Sequence, residues 1–236
     1  MQHAKKQTRA LWWRNMKITQ ALNLPIPAIV AVVGCGGKTS LIKRLAADLQ
    51  SEKVLISPTT KMFPPGVQNA DCRGIYNHRT GKLEALPPDE LAGLVPNYGV
   101  VPLEADGSRS LPCKGWLENE PAVPGYCTHT IGVVTMNALG KQASGAAVHN
   151  LPQFLALTGL CEGEPITMNA LKDMVCAPQG MFKNSVGQRF LIVNQVEVSE
   201  TERAARDFLS AIKAGHPGFF AGMLLGSIYQ DTWQEV

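Results

Sequence analysis

The sequence predicts a three-layer α/β fold built on a mostly parallel sheet, with one irregular insert. Short apolar runs rich in Val, Ile and Leu alternate along the chain with amphipathic helical patterns, an order that is typical of a parallel sheet covered by helices. A glycine-rich turn joins the first apolar run to the first helical pattern. The chain has 236 residues, 45% of them hydrophobic and 17% charged, so it can bury a core of useful size.

The predicted elements follow one another in a regular order. The first strand begins near Ala28, and further strands are predicted at 53–62, 98–108, 129–136, 188–197 and 218–227. Helical patterns occupy 41–50, 152–160, 167–175 and 201–214. Residues 63–99 are rich in Pro, Gly and Asn, and we expect them to form the insert over one sheet edge, with a hairpin around Arg79 to Lys82 and a short helix near Pro88 to Leu94.

The domain organisation is expected to be simple. Residues 16–236 show no repeat and no low-complexity linker, so they are predicted to form a single domain. Met16 begins a stretch that resembles a natural start, and residues 1–15 are interpreted as an upstream extension or a mobile segment. A net charge of +3 is too small to indicate nucleic acid, and no run reaches membrane-spanning length. We therefore expect a cytoplasmic protein that binds neither nucleic acid nor membrane.

Six cysteines are scattered along the chain without a C-x-x-C pair or a Cys/His cluster. This spacing argues against both a disulfide framework and a structural zinc site, so the cysteines are predicted to be free thiols. Cys35 lies in the glycine-rich turn beside a lysine. Either its pKa is lowered there by the surrounding amides, or it is a small side chain that the turn tolerates.

The glycine-rich turn has the layout of a phosphate-binding loop. Glycine can adopt backbone angles that a Cβ forbids, so successive N–H groups can face an anion at the start of the following helix. The full G-x-x-x-x-G-K-[ST] pattern would need glycine where Val32 stands, and the chain carries the shorter G-x-x-G-K-T. The alternative is a plain glycine turn with a surface lysine. The strand before it and the helix after it favour a P-loop NTPase-like fold, and the predicted nucleotide-binding residues are Gly34, Cys35, Gly36, Gly37, Lys38, Thr39 and Ser40.

Two residues of this loop have specific predicted roles. Lys38 is expected to reach the β and γ phosphates and to be catalytic, and the Thr39 hydroxyl is expected to bind Mg²⁺. Thr59, Thr60 and Lys61 stand at the end of the second predicted strand. Because ligands gather at the carboxyl ends of parallel strands, these three residues are predicted beside the phosphates, and a simple turn is the alternative.

The acids that bind the metal ion are expected at the end of a hydrophobic strand. Glu104 and Asp106 stand two residues apart and would share one face of an extended strand. Asp106 is favoured for Mg²⁺, whereas Glu104 is predicted either to hold the metal or to position the attacking water. Arg109 is predicted to stabilise charge on a transferred phosphoryl group, with a surface salt bridge as an equal alternative.

A later strand ends in polar residues that are candidates for base recognition. Asn194 and Glu197 stand where guanine-binding proteins carry N-K-x-D, and an acid there accepts two hydrogen bonds from guanine. Residues 225–227, after the last strand, stand where such proteins have a second base-contacting loop. A plain strand end is equally compatible with the pattern, so ATP and GTP both remain candidate ligands.

Taken in order, four segments resemble the YqeC family: VVGCGGKTSLIKRLA, VLISPTTKMFPP, LEADGSRSLPCKGW with NEPAVP, and FLIVNQVE. The resemblance implies a P-loop-type fold, nucleotide binding and an accessory role in maturing the selenium-containing cofactor of molybdenum hydroxylases. By resemblance, Lys114 also faces the loop. The chain departs from the family pattern at Cys35, at Ser40, at Pro58 and at Asn150 after His149.

Three hypotheses of function follow. The leading one is a Mg²⁺-dependent nucleoside triphosphatase that drives a maturation step, in contact with a molybdenum hydroxylase or its cofactor-maturation proteins. The second is an ATP-dependent ligase, for which the chain offers little room for a second substrate domain. The third is a non-hydrolytic carrier or scaffold for a phosphorylated molybdopterin-like cofactor, with Cys113 as its candidate thiol.

Overall fold

An eight-stranded sheet forms the centre of the structure, which is a computed structural model describing residues 17–236. The prediction for residues 1–15 lies outside the described residues. In spatial order the sheet is β13-β12-β11-β9-β1-β7-β2-β4, and every neighbouring pair is parallel except β12 and β13. These strands are β1 (Ala28–Gly34), β2 (Leu55–Pro58), β4 (Asp71–Cys72), β7 (Val100–Glu104), β9 (His129–Thr135), β11 (Gln188–Asn194), β12 (Gly222–Ser227) and β13 (Thr232–Glu235).

Two small sheets lie beside the main one. The insert contributes an antiparallel sheet in the order β3-β6-β5, and a parallel pair joins β8 to β10. Their strands are β3 (Lys61–Met62), β5 (Ile75–Asn77), β6 (Lys82–Glu84), β8 (Cys113–Lys114) and β10 (Val148–His149).

The helices cover both faces of the main sheet. The α-helices are α1 (Ile18–Ala21), α2 (Lys38–Asp48), α3 (Pro88–Leu94), α4 (Leu151–Thr158), α5 (Met168–Cys176) and α6 (Ser199–Gly215), with short 3₁₀ turns at Val95–Asn97 and Met136–Ala138. No helix within residues 17–236 has the length and apolar character needed to cross a membrane.

Alternation along β1 separates two hydrophobic cores. Val30 and Val32 belong to the core that also contains buried residues of α1 and α2, whereas Ala31 and Val33 belong to the core with residues of α5 and α6. A strand whose two faces are both covered is typical of parallel α/β sheets. The three-layer, mostly parallel α/β fold that the sequence predicts is therefore confirmed, and it is consistent with a P-loop-like architecture.

The insert and the edges differ in detail from the predicted elements. The stretch predicted as one strand over 53–62 divides into β2 and β3, which join different sheets, because the chain bends after Pro58. The predicted hairpin is β5 and β6, and the short helix is α3. β13 is absent from the predicted elements; it runs antiparallel to β12 and buries Trp233 completely.

The strand order locates the glycine-rich turn at a reversal of the topology. After β1 the chain moves to one side of that strand to form β2 and β7, and it then crosses to the other side for β9, β11 and β12. Ligands of open α/β sheets bind at such switch points, outside the carboxyl ends of the strands. β1 and β7 are direct neighbours, so the glycine turn and the acids after β7 meet at the same edge.

Candidate functional site

The glycine turn is a left-handed loop at the N-terminus of α2. Gly34, Gly36 and Gly37 have φ angles of 98°, 89° and 130°. A Cβ on Gly37 would lie 2.5 Å from Nδ2 of Asn194, so both conformation and space require glycine there. No side chain caps α2 among the described residues. Its first N–H groups lack intrahelical acceptors and can bind an anion.

Lys38 is folded back over this loop. Its Nζ donates to the carbonyl oxygen of Gly34 at 2.7 Å and to Oγ of Ser108 at 3.3 Å, and it lies 3.2 Å from Oδ1 of Asp106. The side chain is only 4% exposed. Burial disfavours the ammonium ion, but the carboxylates of Asp106 and Glu104 outweigh that effect and raise the pKa of Lys38. The loop therefore holds a permanent positive charge.

Thr39 and Glu104 form the pair of oxygen groups that faces the open side of the loop. The Thr39 hydroxyl donates to Oε2 of Glu104 at 2.7 Å. Burial raises the pKa of Glu104, against the opposing effects of Lys38 and of the hydrogen bond from Thr39. A hydroxyl beside a carboxylate is the hard-oxygen donor set that suits Mg²⁺.

Asp106 contacts the other end of the loop. Its two oxygens accept from the N–H of Gly34 at 3.2 and 3.0 Å, and Oδ2 also accepts from Nε1 of Trp116 at 2.7 Å. Nζ of Lys114 lies 3.6 Å from the same oxygen, and Asp106 is completely buried. Its carboxylate is thus occupied by protein donors, and the geometry favours Glu104 over Asp106 as the acid on the metal side.

A buried network contacts the start of the loop through Asp106. It consists of Asp106, Lys114, Trp116 and Glu120. Nζ of Lys114 donates to the carbonyl oxygen of Gly107 at 2.7 Å and to Oε2 of Glu120 at 2.9 Å. Lys114 is fully buried. The family resemblance predicts that Lys114 faces the loop; the structure places its Nζ near Asp106, the acid that contacts Gly34.

His149 pairs in register with Lys114 across β8 and β10. Burial and the nearby cations of Lys114 and Arg109 lower the pKa of His149, so the imidazole is neutral near pH 7. The Asn150 side chain donates to the carbonyl oxygen of Gly115 at 3.1 Å. Both residues therefore belong to the framework around the buried network.

A cavity of about 300 Å³ opens beside the loop, and we call it the first cavity. Arg109 lines it and makes no salt bridge within residues 17–236, so its guanidinium is available to a ligand there. Thr59 and Thr60 do not line it; the Thr59 hydroxyl donates instead to the carbonyl oxygen of Ala122 at 2.6 Å. The lining residues are Gly36, Gly37, Lys38, Thr39, Ser40, Lys61, Met62, Phe63, Lys82, Glu104, Gly107, Ser108, Arg109, Ser110 and Gln195.

A second cavity, of about 580 Å³, adjoins the first and shares Gly37, Ser40 and Gln195 with it. It lies at the ends of β11 and β12, and its lining includes both predicted base-contacting residues, Asn194 and Glu197. The further lining residues are Lys43, Arg44, Ala47, Val67, Ser227, Ile228 and Tyr229. The two cavities together form a groove that runs from the glycine loop to the ends of β11 and β12.

The described residues hold no group of three or more His, Cys, Asp or Glu side chains arranged to bind a metal ion. A Mg²⁺ ion at this site would therefore take ligands from Thr39, Glu104, phosphate oxygens and water. That mixed shell is common for Mg²⁺, which keeps several waters and binds one or two carboxylates together with substrate phosphates.

Comparison with known proteins assigns the chain to a family. The family profile described as YqeC protein matches residues 30–76 and 72–152, a region that contains the glycine loop, β7 and the buried network. A protein from Escherichia coli (strain K12), described as uncharacterized protein YqeC, is 32% identical over 213 residues, which cover 79% of this chain and 83% of that protein. The chain belongs to the YqeC family. No solved structure matches it at a significant level.

The cysteines of this family member do not form a reactive cluster. All six are free thiols, as the sequence predicts. Burial raises the pKa of Cys35 to about 12, so the interpretation of Cys35 as a tolerated small side chain is the one that fits. Burial also raises the pKa of Cys113, which gives no support to a carrier function through that thiol.

Several residues at this site escape identification from sequence. Trp116 and Glu120 complete the buried network, although nothing in their local pattern indicates that they contact Asp106. Ser108 hydrogen-bonds Lys38 and stands two residues after Asp106, a spacing that could have pointed to it. Lys82 adds positive charge to the first cavity from β6, whose approach depends on how the insert folds, whereas Lys61, which the sequence predicts near the phosphates, lines the same cavity.

Proposed function

We propose that this protein binds a nucleoside triphosphate with Mg²⁺ and hydrolyses it, as an accessory protein in maturation of the selenium-containing cofactor of molybdenum hydroxylases. One observation carries the proposal: the Thr39 hydroxyl lies 2.7 Å from Glu104 at the mouth of a glycine loop that also holds Lys38. Hydroxyl, carboxylate, lysine and helix N-terminus meet there as phosphoryl-transfer sites require.

The loop would bind the polyphosphate. The N–H groups at the start of α2 can donate to an anion that lies against Gly37, and the ammonium group of Lys38 neutralises charge on the β and γ phosphates. Lys38 would exchange part of its present contacts with Gly34 and Ser108 for phosphate oxygens. Thr39 and Glu104 would hold a Mg²⁺ ion, which would neutralise charge that develops on the phosphates.

Hydrolysis needs a positioned water and a stabilised γ-phosphoryl group. The water oxygen bonds to the γ-phosphorus while the bond to the β,γ-bridging oxygen breaks, and the water proton passes by way of Glu104 to the phosphate product. Oε1 of Glu104 has no hydrogen-bond partner within residues 17–236, so that atom can accept a hydrogen from this water. Arg109 lines the same cavity and supplies positive charge toward the transferred group.

The role in cofactor maturation rests on family membership and on the resemblance of the motifs. It implies contact with a molybdenum hydroxylase or with its cofactor-maturation proteins, and the first cavity has room and positive charge for a second anionic substrate beside the phosphates. Lys82 and Arg109 supply that charge, whereas Nζ of Lys61 lies 2.9 Å from Oε1 of Glu84.

The test is a comparison of Lys38→Ala with the wild-type protein, by calorimetry with Mg²⁺ and a triphosphate and by phosphate release. We expect turnover and affinity each to fall by about 100-fold or more, because the charge that faces the phosphates is removed. Lys213→Ala, at an exposed position of α6, is the matched control and should behave as wild type.

A second variant keeps this test independent of folding. Thr39→Val is close in shape and removes only the hydroxyl that would bind the metal. It should weaken the Mg²⁺ dependence of turnover while leaving the unfolding midpoint nearly unchanged. Unchanged turnover in both Lys38→Ala and Thr39→Val would refute the proposed function.

A further inference from the structure

The second cavity carries an inference about the base. We infer that this site selects guanine nucleotides over adenine nucleotides, through the carboxylate of Glu197. The inference rests on the proposed function, because it concerns the base of the same triphosphate. The ends of β11 and β12 fix the polar groups of this cavity, and their arrangement supports it.

Neighbouring parallel strands bring the key groups together. β11 and β12 pair in register through Val193 and Leu225, so the residues that follow these two positions meet at one edge of the sheet. There, Oγ of Ser227 donates to Oε1 of Glu197 at 2.9 Å and accepts from the N–H of Gln230 at 3.1 Å. The turn after β12 therefore fixes the serine hydroxyl, and the hydroxyl in turn orients the carboxylate.

Asn194 connects the second cavity to the glycine loop through hydrogen bonds. Its Nδ2 donates to the carbonyl oxygen of Gly36 at 2.7 Å, and its Oδ1 accepts from the N–H of Ile228 at 2.9 Å. The amide thus connects the glycine loop to the turn after β12. This connection fixes the distance between the two cavities. Asn194 is consequently a positioning residue, and base reading falls to Glu197, the acidic side chain that lines this cavity.

The chemistry of a carboxylate distinguishes the two purines. Guanine presents two adjacent donors, N1–H and the N2 amino group, and a carboxylate accepts both in a bidentate arrangement. Adenine presents an unprotonated N1 at the same edge, whose lone pair would face a carboxylate oxygen. Sites that are built to hydrogen-bond one substrate reject an analogue that lacks the matching groups.

Two further lining residues suit the faces of a flat base. Tyr229 lies in the turn after β12, lines the second cavity and is 89% exposed, so its ring is available to cover a ligand there. Gln195 lines both cavities, and its Oε1 accepts from Nδ2 of Asn137 at 2.9 Å, which holds its side chain between the phosphate end and the base end. These contacts do not depend on which purine is bound.

The test measures the affinities of GTP, ATP and XTP, each with Mg²⁺, for the full-length wild-type protein and for Glu197→Gln. In wild type we expect GTP to bind about 100-fold more tightly than ATP. Xanthine carries a carbonyl oxygen where guanine carries its amino group, so the amide of Glu197→Gln matches XTP. The variant should lose at least about tenfold in GTP affinity and gain XTP affinity.

Two control variants distinguish a loss of base recognition from a general loss of nucleotide affinity. Glu200→Gln removes an exposed acid three residues further on and should change none of the three affinities. Tyr229→Ala should weaken GTP and XTP by similar factors, since stacking does not read the base edge.

The outcomes distinguish this inference from the proposed function. Equal affinity for ATP and GTP, or a Glu197→Gln variant whose base preference is unchanged, would overturn the guanine assignment and leave the proposed function standing. If no triphosphate binds wild type at all, both fail together.

Discussion

Glu104 and Asp106 stand two residues apart at the end of one strand, yet they contact opposite ends of the glycine loop. Glu104 accepts from the side chain of Thr39, the second residue of α2, and lines the first cavity. Asp106 accepts from the N–H of Gly34, where the loop begins, and is sealed from solvent by the buried network. Asp106 has protein donors around both oxygens, whereas Glu104, although buried, faces the first cavity.

This difference indicates that Asp106 shapes the loop, whereas Glu104 acts on the ligand that the loop binds. The Asp106 carboxylate fixes Gly34 and draws Lys38 back over the loop, so the cradle is formed before any ligand arrives. Preorganised polar groups cost no rearrangement when a charged ligand binds. Glu104 does not shape the loop in this way. Its position is determined by β7, the neighbour of β1. Substitutions at the two acids should therefore change different properties of the protein.

The largest expected effect on stability belongs to Asp106→Ala. It leaves two buried cations, Lys38 and Lys114, without their shared carboxylate, and it leaves the N–H groups of Gly34 and Trp116 unpaired. Breaking a buried ion pair from one side costs about 3–5 kcal/mol, so we expect the free energy of unfolding to fall by that amount. Urea denaturation followed by tryptophan fluorescence measures it.

Asp106→Asn is the matched variant for this test. It preserves the shape of the side chain and one acceptor oxygen but removes the charge, and it should be less damaging than Asp106→Ala. If both variants unfold like wild type while phosphate release collapses, Asp106 is a metal ligand after all, and the contrast between the two acids disappears.

The next effect in size is a loss of catalysis without a loss of stability in Glu104→Gln. The amide can still accept from Thr39, but it can neither bind Mg²⁺ as an anion nor accept a proton from water. Removing a group of this kind lowers turnover by about 100-fold, which corresponds to about 2.7 kcal/mol of activation free energy. Steady-state phosphate release with saturating Mg²⁺ measures it, and Glu90→Gln on the exposed side of α3 is the control.

A Glu104→Gln protein that turns over at the wild-type rate would contradict this assignment. So would one that unfolds as easily as Asp106→Ala, because the acid would then be structural rather than catalytic. The two measurements together decide which acid belongs to which side of the loop.

Most of the fold could be predicted because it depends on local patterns. The alternation of apolar strands with amphipathic helices predicts a mostly parallel sheet, and the breaks at Gly and Pro mark its turns. What could not be predicted depends on contacts that are distant in sequence. β13 is a short antiparallel edge strand held by the burial of Trp233, and β4 joins the opposite edge from within the insert.

The site follows the same rule. The glycine loop, Lys38 and Thr39 form a local motif, and the structure brings them together at the start of α2. The prediction that Glu104 and Asp106 share one strand face fails in detail because β7 ends at Glu104, so the alternation of side chains does not continue to Asp106. Trp116 and Glu120 approach Asp106 through a loop whose path no periodicity describes.

The smallest expected effect concerns the pH dependence of stability. Burial raises the pKa of Glu104 in the folded protein above its ordinary value near 4.5. Between those two pKa values the folded state binds more protons than the unfolded state, so the stability that Glu104 contributes is lost as the pH rises through this window. Glu104→Gln lacks the titration. It should therefore match wild type near pH 4 and become the more stable protein toward pH 7. Urea unfolding of both proteins across this range measures the difference between their free energies of unfolding. The other titrating groups contribute equally to both proteins, so their contributions cancel in this difference. If wild type instead becomes the more stable protein as the pH rises, its surroundings stabilise the carboxylate, and Glu104 resembles Asp106 more than the contacts of the loop indicate.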